Sequence, residues 1–320
     1  MSNDNEIRPF RLDTPEEAIA DRRCRIAATR WPSRELVTDR SQGVQLATVQ
    51  ELARYWTNEY DWRRCEAKLN GLPQYTTNID GVEIHFIHVR SQHENALPLI
   101  MTHGWPGSVV ELLGVVGPLT DLTAHGGTPD DAFHLVLPSL PGYGFSGEPT
   151  ELGWESGRIA RAWAELMDRL GYPRYVAQGG DVGASVTDAM GRQAPEGLLG
   201  IHVNLLAGAL GLKDQLPAES EQERAAHQAL NTFTTDGFGY FLEQVHPAAD
   251  DRLLPAGFTR RAGGLDARPR HGQLLQDLPR VYPGVAYFNE VDSGGHFPAR
   301  EEPELFSTEV RAAFRPLRKS

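Results

Sequence analysis

Asp181 lies in the stretch Ala177-Gln178-Gly179-Gly180-Asp181-Val182-Gly183-Ala184-Ser185, an acid with glycine two residues away on either side. An apolar run (Tyr175, Val176, Ala177) enters this stretch, and a helix-compatible run (Ala184 to Gln193) leaves it. Small-x-acid-x-small between a strand and a helix is the pattern of a nucleophile raised on a sharp turn. A Cβ at either flanking position would there collide with the adjoining strand or helix. The same residues would also suit an acid that only caps the next helix. A carboxylate with a reference pKa of about 4 is ionised at neutral pH, so it can attack an electrophilic carbon without a base. The product is an ester, whose hydrolysis requires a base to activate water.

His296, in Gly294-Gly295-His296-Phe297, has the context for that base. It follows an apolar run, precedes the last helix-compatible segment (Glu302 to Phe314), and comes after the acid in chain order, as in other strand–turn–helix elbows. Ester hydrolysis also develops an oxyanion that needs N–H donors. Val182, next to the nucleophile, offers one backbone N–H. The turn His103-Gly104-Trp105-Pro106-Gly107-Ser108 is placed to offer a second at Trp105, and Pro106 stiffens it. His103 in this turn reads as structural.

Composition bounds what these residues can serve. The chain has 320 residues, 40% hydrophobic and 23% charged, enough for one large core and an accessory domain. A net charge of −12 and a pI near 5.4 argue against a nucleic-acid or anionic-membrane partner. No apolar run approaches the roughly 18 residues of a membrane span. The polar start, Met1 to Glu6, is unlike a secretory signal, which makes the cytoplasm the default location. Cys24 and Cys65 are too few and too isolated for a disulfide framework or a zinc site. No cofactor and no metal is implied.

The positioning elements are read from periodicity. Thr14-Pro15-Glu16-Glu17 resembles a capping box opening a helix through Arg30, whose arginines (Arg22, Arg23, Arg25, Arg30) read as a solvated face paired with acids. Leu52, Tyr55, Trp56 and Tyr60 recur at helical spacing over Thr48–Tyr60, as core or interface packing. Asn78 to Gly81 is turn chemistry before a strand at Val82–Phe86. Short apolar strands follow at Leu97–Thr102, Phe133–Leu137, Tyr175–Val176, Leu198–Leu206 and Val285–Val291, with an amphipathic helix at Ile159–Leu170. Strands alternating with helices predict a parallel sheet with helices on both faces, and a site beyond the carboxyl ends of its strands.

The turn at His103–Ser108, the elbow at Gly179–Gly183 and Gly294–Phe297, in this order, resemble the motifs of microsomal-type epoxide hydrolases. Arg8-Pro9-Phe10, Trp31-Pro32 and Gly43-Val44 resemble that family's N-terminal domain, and Gly239-Tyr240-Phe241-Leu242-Glu243-Gln244 the start of its lid. The resemblance implies an α/β-hydrolase fold: a mostly parallel central sheet with helices on both faces. A mainly helical N-terminal domain at 1–92 precedes it, and the core at 93–320 carries a shortened lid-like insertion at about 208–265. It implies that Asp181 attacks an epoxide carbon from behind, that Tyr240 and a second lid tyrosine protonate the departing oxygen, and that His296 activates the water that releases a diol. His103, Pro106 and Phe145 would border the substrate. The partners would be a small-molecule epoxide and water. Packing beside Phe238 and Phe241 is the other reading of Tyr240.

Two family features are not visible. No tyrosine occurs from Phe241 through Val281, and no buried strand between Pro247 and His271 carries the acid that would orient His296. Asp266, in Gly263-Gly264-Leu265-Asp266, is the nearest match by distance; Glu290 and Asp292 lie closer to His296 and could substitute. The segment 247–278 reads as a deletion, an altered reading frame or a short-lid variant. A lost strand would leave apolar sheet surface open to aggregation or to self-association as a homo-oligomer. The alternatives are therefore a catalytically inactive homologue, or another Asp-nucleophile hydrolase such as a haloalkane dehalogenase.

Overall fold

The most apolar segments of the chain become the centre of one sheet. The computed structural model describes residues 6–40, 43–204, 221–232 and 284–319. Among them are β1 (Arg8–Phe10), β2 (Gln74–Ile79), β3 (Val82–Val89), β4 (Leu97–Thr102), β5 (Phe133–Pro138), β6 (Tyr175–Gly179) and β7 (Leu198–Val203). Their spatial order is β1-β2-β3-β5-β4-β6-β7. β4 runs parallel to both β5 and β6, and β6 parallel to β7, whereas β1–β2, β2–β3 and β3–β5 are antiparallel.

The sheet is thus mixed, where a mostly parallel one was expected. The parallel half carries Asp181. The antiparallel half comes largely from the first 92 residues, expected to be mainly helical apart from a strand at Val82–Phe86, which appears as part of β3. Asp80 and Gly81 both have positive φ (51° and 81°), which makes the tight two-residue turn that returns β3 alongside β2.

Successive residues Leu99, Ile100 and Met101 are all 0% exposed, so the centre of the sheet is covered on both faces. On one face, Ile100, Val136 and Ala177 pack with Ile159, Trp163 and Leu166 of α5 (Ser156–Arg169) and Val186 and Met190 of α6 (Val182–Gln193). Trp163 also donates its indole N–H to the Thr102 hydroxyl at 3.0 Å, tying α5 to the end of β4. The short helix α4 (Val116–Thr120) lies near the chain's terminal segment, where Arg311 donates to the Pro118 carbonyl at 3.1 Å.

Two compact units are distinguished: Met1–Leu12, Leu69–Gly211 and Gly284–Ser320, which hold the sheet, and Asp13–Lys68 with Leu212–Pro283. The second contains α1 (Glu16–Ala27), α2 (Leu46–Asn58), most of α3 (Trp62–Asn70) and α7 (Glu221–Thr232). α1 ends three residues before the expected Arg30. Thr14 does not cap it: the Thr14 hydroxyl accepts from the Trp62 indole at 2.9 Å and its amide donates to Glu66 at 2.7 Å. α2 buries none of its residues, and Leu52, Tyr55 and Trp56 are 60%, 45% and 45% exposed, which corrects the core reading and leaves the interface one. Among the described residues Arg22 pairs with no acid; its guanidinium sits 5.6 and 5.5 Å from the rings of Trp56 and Tyr60. No helix among the described residues is long and apolar enough to cross a membrane.

Val285–Val291, expected as a strand, has no regular structure. Its apolar alternation would need a neighbouring ladder to satisfy the backbone, and among the described residues it has none. Val285, Phe288 and Val291 remain 40–47% exposed. The chain then folds into α8 (Pro298–Glu301) and α9 (Pro303–Phe314). The Phe314 ring meets Phe133 and His202, each at 6.2 Å, and Arg315 grips both oxygens of Asp131 at 3.1 and 2.6 Å.

Candidate active site

Asp181 immediately precedes α6 in the two-residue turn after β6, and its backbone is in the left-handed half of conformational space, with φ 53° and ψ −123°. A non-glycine residue is held there only by its surroundings. A Cβ on Gly179 would lie 2.1 Å from the Gly183 carbonyl oxygen, and one on Gly183 would lie 2.1 Å from the Thr102 carbonyl oxygen. Both neighbours are backbone and cannot swing aside. The flanking glycines are therefore steric requirements of the turn.

The two oxygens of the carboxylate have different surroundings. Oδ1 accepts the backbone N–H groups of Val182 and Trp105, each at 2.7 Å. Oδ2 lies 2.9 Å from Nε2 of His296. Burial is the largest single influence on Asp181 and works to raise its pKa. The hydrogen bonds from His296, Trp105 and Val182 outweigh it and hold the carboxyl below its ordinary value. The N-terminus of α6 favours a negative charge at the same place.

The opposite shift occurs on His296. Its hydrogen bond to Asp181 raises the imidazole pKa, burial opposes this, and the charges of Asp181, Glu111 and Glu301 add to the rise. The ring stands edge-on to Phe297 at 4.7 Å, and the Phe297 amide donates to Glu301 at 3.0 Å, which fixes the backbone beside the imidazole.

Three residues expected beside the substrate fall in different places. His103 is 0% exposed, with Nε2 accepting the Leu140 N–H at 3.1 Å and Nδ1 at 2.9 Å from the Gly104 carbonyl. An imidazole that accepts at Nε2 carries its proton at Nδ1, so His103 is neutral and ties the turn to the end of β5. Burial lowers its pKa, in keeping with that state. Pro106 follows a cis peptide and is exposed. Phe145 packs against Phe10 at 5.7 Å and His85 at 5.1 Å. Tyr240, Asp266 and the lid at 208–265, apart from α7, lie outside the described residues.

Sequence reasoning did not single out Glu111. It stands on a 3-10 turn (Val109–Val115), where Oε2 accepts the Gly104 N–H at 3.1 Å. Burial, chiefly, pushes its carboxyl up to about 7; the Gly104 N–H works against this, Asp181 adds to it and His296 opposes it. The available signal was an acid set inside the apolar run Val109-Val110-Glu111-Leu112-Leu113. Among the described residues no cluster of three or more His, Cys, Asp or Glu side chains could hold a metal.

Acyl chemistry at the Asp181 carboxyl carbon would place an oxyanion on Oδ1, between two N–H donors, with an imidazole beside the other oxygen.

The model of the epoxide hydrolase N terminus matches residues 7–112, and that of the alpha/beta hydrolase fold matches residues 98–240. A protein of Stigmatella aurantiaca (strain DW4/3-1) named "Putative epoxide hydrolase" is 43% identical over 380 positions, covering 98% of this chain and 86% of the relative. Those 380 positions exceed the 320 residues of this chain, so the relative carries residues opposite which this chain has none. Epoxide hydrolase 1 of Oryctolagus cuniculus is 36% identical over 206 residues, covering 63% of this chain and 45% of the relative. Among solved structures, the epoxide hydrolase of Aspergillus niger superposes with a TM-score of 0.74 at 26% identity, over 98% of this chain and 97% of that one. With its α/β-hydrolase fold and its matches along nearly the whole length, the chain belongs to the microsomal-type epoxide hydrolase family.

Proposed function

We propose that this chain hydrolyses a small-molecule epoxide to a vicinal diol through an ester on Asp181. The observation that carries this reading is the division of labour between the two carboxylate oxygens: among the described residues Oδ1 takes two backbone N–H donors and Oδ2 takes His296. Oδ2 attacks a ring carbon, the carbon–oxygen bond of the ring breaks, and the released alkoxide takes a proton, with Tyr240 the proposed donor. Oδ1 becomes the carbonyl oxygen of the ester and is already in place between Trp105 and Val182.

Esterification removes the negative charge that raises the His296 pKa, so the imidazole returns towards neutrality when it must act as a base. It then takes a proton from water, hydroxide adds to the acyl carbon, and the negative charge collects on Oδ1. Collapse breaks the acyl–oxygen bond to the product, whose second hydroxyl takes the proton from His296. Collapse leaves Asp181 as its acid, whose proton passes through water to the Tyr240 phenolate, so that the carboxylate and the proton donor are both regenerated. Asp266 is proposed as the acid that orients His296.

A second reading has its own support. Among the described residues the His296 ring hydrogen-bonds to Asp181 alone. A chain in which nothing orients the imidazole would form the ester and release it slowly, since a mis-set tautomer costs orders of magnitude in rate.

Acid-quenching the protein with styrene oxide and measuring peptide masses tests the main reading. The mass of one styrene oxide is expected on the peptide holding Asp181, and absent from Asp181→Asn, with loss of about four orders of magnitude in diol formation. An adduct elsewhere, or diol formation that survives Asp181→Asn, would contradict it.

A further inference from the structure

Glu111 is a half-buried carboxyl beside the nucleophile with no task in the steps above. Its Oε2 accepts the N–H of Gly104, the residue before the donor Trp105. Gly104 itself is pressed against the elbow: a Cβ there would come within 2.6 Å of the Asp181 Cβ and 2.9 Å of the Phe297 ring. The turn bearing the Trp105 donor is thus pinned on one side by Asp181 and on the other by Glu111. The charged groups acting on Glu111 are Asp181, from the elbow, and His296, from the segment before α8. Those acting on His296 are Asp181, Glu111 and Glu301, and His103, also near Asp181, is held neutral.

We propose that Glu111 is a positioning residue for the ester-hydrolysis half of the reaction, holding the Gly104 amide behind the Trp105 donor and supplying the negative charge that faces His296 once Asp181 is esterified. The inference rests on the reading of Asp181 as nucleophile. In the free protein burial chiefly, and the Asp181 charge to a lesser degree, discourage ionisation of Glu111, whose carboxyl sits near 7. Esterification removes that repulsion, and the carboxyl gives its proton to bulk water. Glu111 then carries a smaller part of the charge that faced His296, since the hydrogen bond from Asp181 is gone, and this part stabilises the imidazolium that forms as His296 deprotonates water. No bond to Glu111 is made or broken, other than that to its own proton.

Glu111→Gln keeps a carbonyl to accept the Gly104 N–H but cannot ionise; Glu111→Ala removes both. The test follows formation and decay of the styrene oxide ester on Asp181 by rapid quench across pH, in the whole chain. Glu111→Gln is expected to form the ester within about threefold of the wild-type rate and to hydrolyse it about tenfold more slowly. The acid limb of the hydrolysis rate should move to lower pH, because His296 loses the charge that supports its protonated form. Glu111→Ala should slow ester formation as well.

A Glu111→Gln protein that hydrolyses the ester at the wild-type rate with an unmoved acid limb overturns the inference while leaving Asp181 as nucleophile. So does one that forms no ester while the wild type forms it. A wild-type protein that forms no ester on Asp181 overturns both readings.

Discussion

The two partners of the site are held in opposite ways. Asp181 sits in a turn where backbone presses on backbone, since Cβ atoms at Gly179 and Gly183 would each lie 2.1 Å from a carbonyl oxygen. It follows β6, whose five residues are all buried, and both of its carboxylate oxygens are engaged. His296 ends a described segment, 284–296, that holds no helix or strand and in which Val285, Phe288 and Val291 are exposed. That segment is tied down by a few side-chain bonds: Tyr287 and Asn289 to Glu309 at 2.7 and 3.0 Å, and Glu301 to the Phe297 amide. The difference teaches that the two halves of the proposed reaction depend on different kinds of order. Attack draws on the rigid elbow, with Tyr240 the proposed proton donor, whereas hydrolysis needs a histidine placed by contacts that are individually weak.

Substitution of the histidine should break this comparison most sharply. His296→Gln is expected to leave ester formation on Asp181 intact while slowing turnover about 10²- to 10⁴-fold, visible as an accumulating covalent mass. Equal loss of both steps would show that the two halves are not separable.

Glycine substitutions sharpen the structural side. Gly183→Ala forces a Cβ into the Thr102 carbonyl and should destabilise the protein by about 3 kcal/mol in urea unfolding. Gly284→Ala, at a glycine with nothing within 4 Å of its added Cβ, should change stability by no more than about 0.5 kcal/mol. Comparable costs at the two positions would contradict the contrast. Between them, Tyr287→Phe removes the bond to Glu309 and is expected to cost about 1 kcal/mol. Its effect on turnover should fall on ester hydrolysis and not on ester formation, because it loosens only the segment that carries His296.

The sequence was legible where constraints are local. Asp181, its glycines and the entering strand form one short pattern, and the bounds of β4 and the start of β5 follow from uninterrupted apolar runs. His296 could be singled out by its place before the last helix. What could not be read depends on partners distant in the chain. β1 finds its partner β2 about 65 residues on, and β2 is paired on its other side with β3, so the residues before 92, apart from Val82–Phe86, looked helical. Thr14 looked like a cap, but its hydroxyl goes to Trp62, 48 residues away. Val285–Val291 alternates like a strand without a ladder to join. Glu111 is one acid in an apolar run, and nothing local says that its carboxyl meets the amide of Gly104. Tyr240 and Asp266 stand as sequence expectations, outside the described residues.

The most direct test of the division between the two Asp181 oxygens is a single turnover with styrene oxide in heavy-oxygen water. If Oδ2 attacks the ring and water then adds at the acyl carbon, the diol leaves unlabelled and the heavy oxygen is found in the peptide containing Asp181. A labelled diol with an unlabelled Asp181 would mean that water opens the ring directly, and would contradict the account.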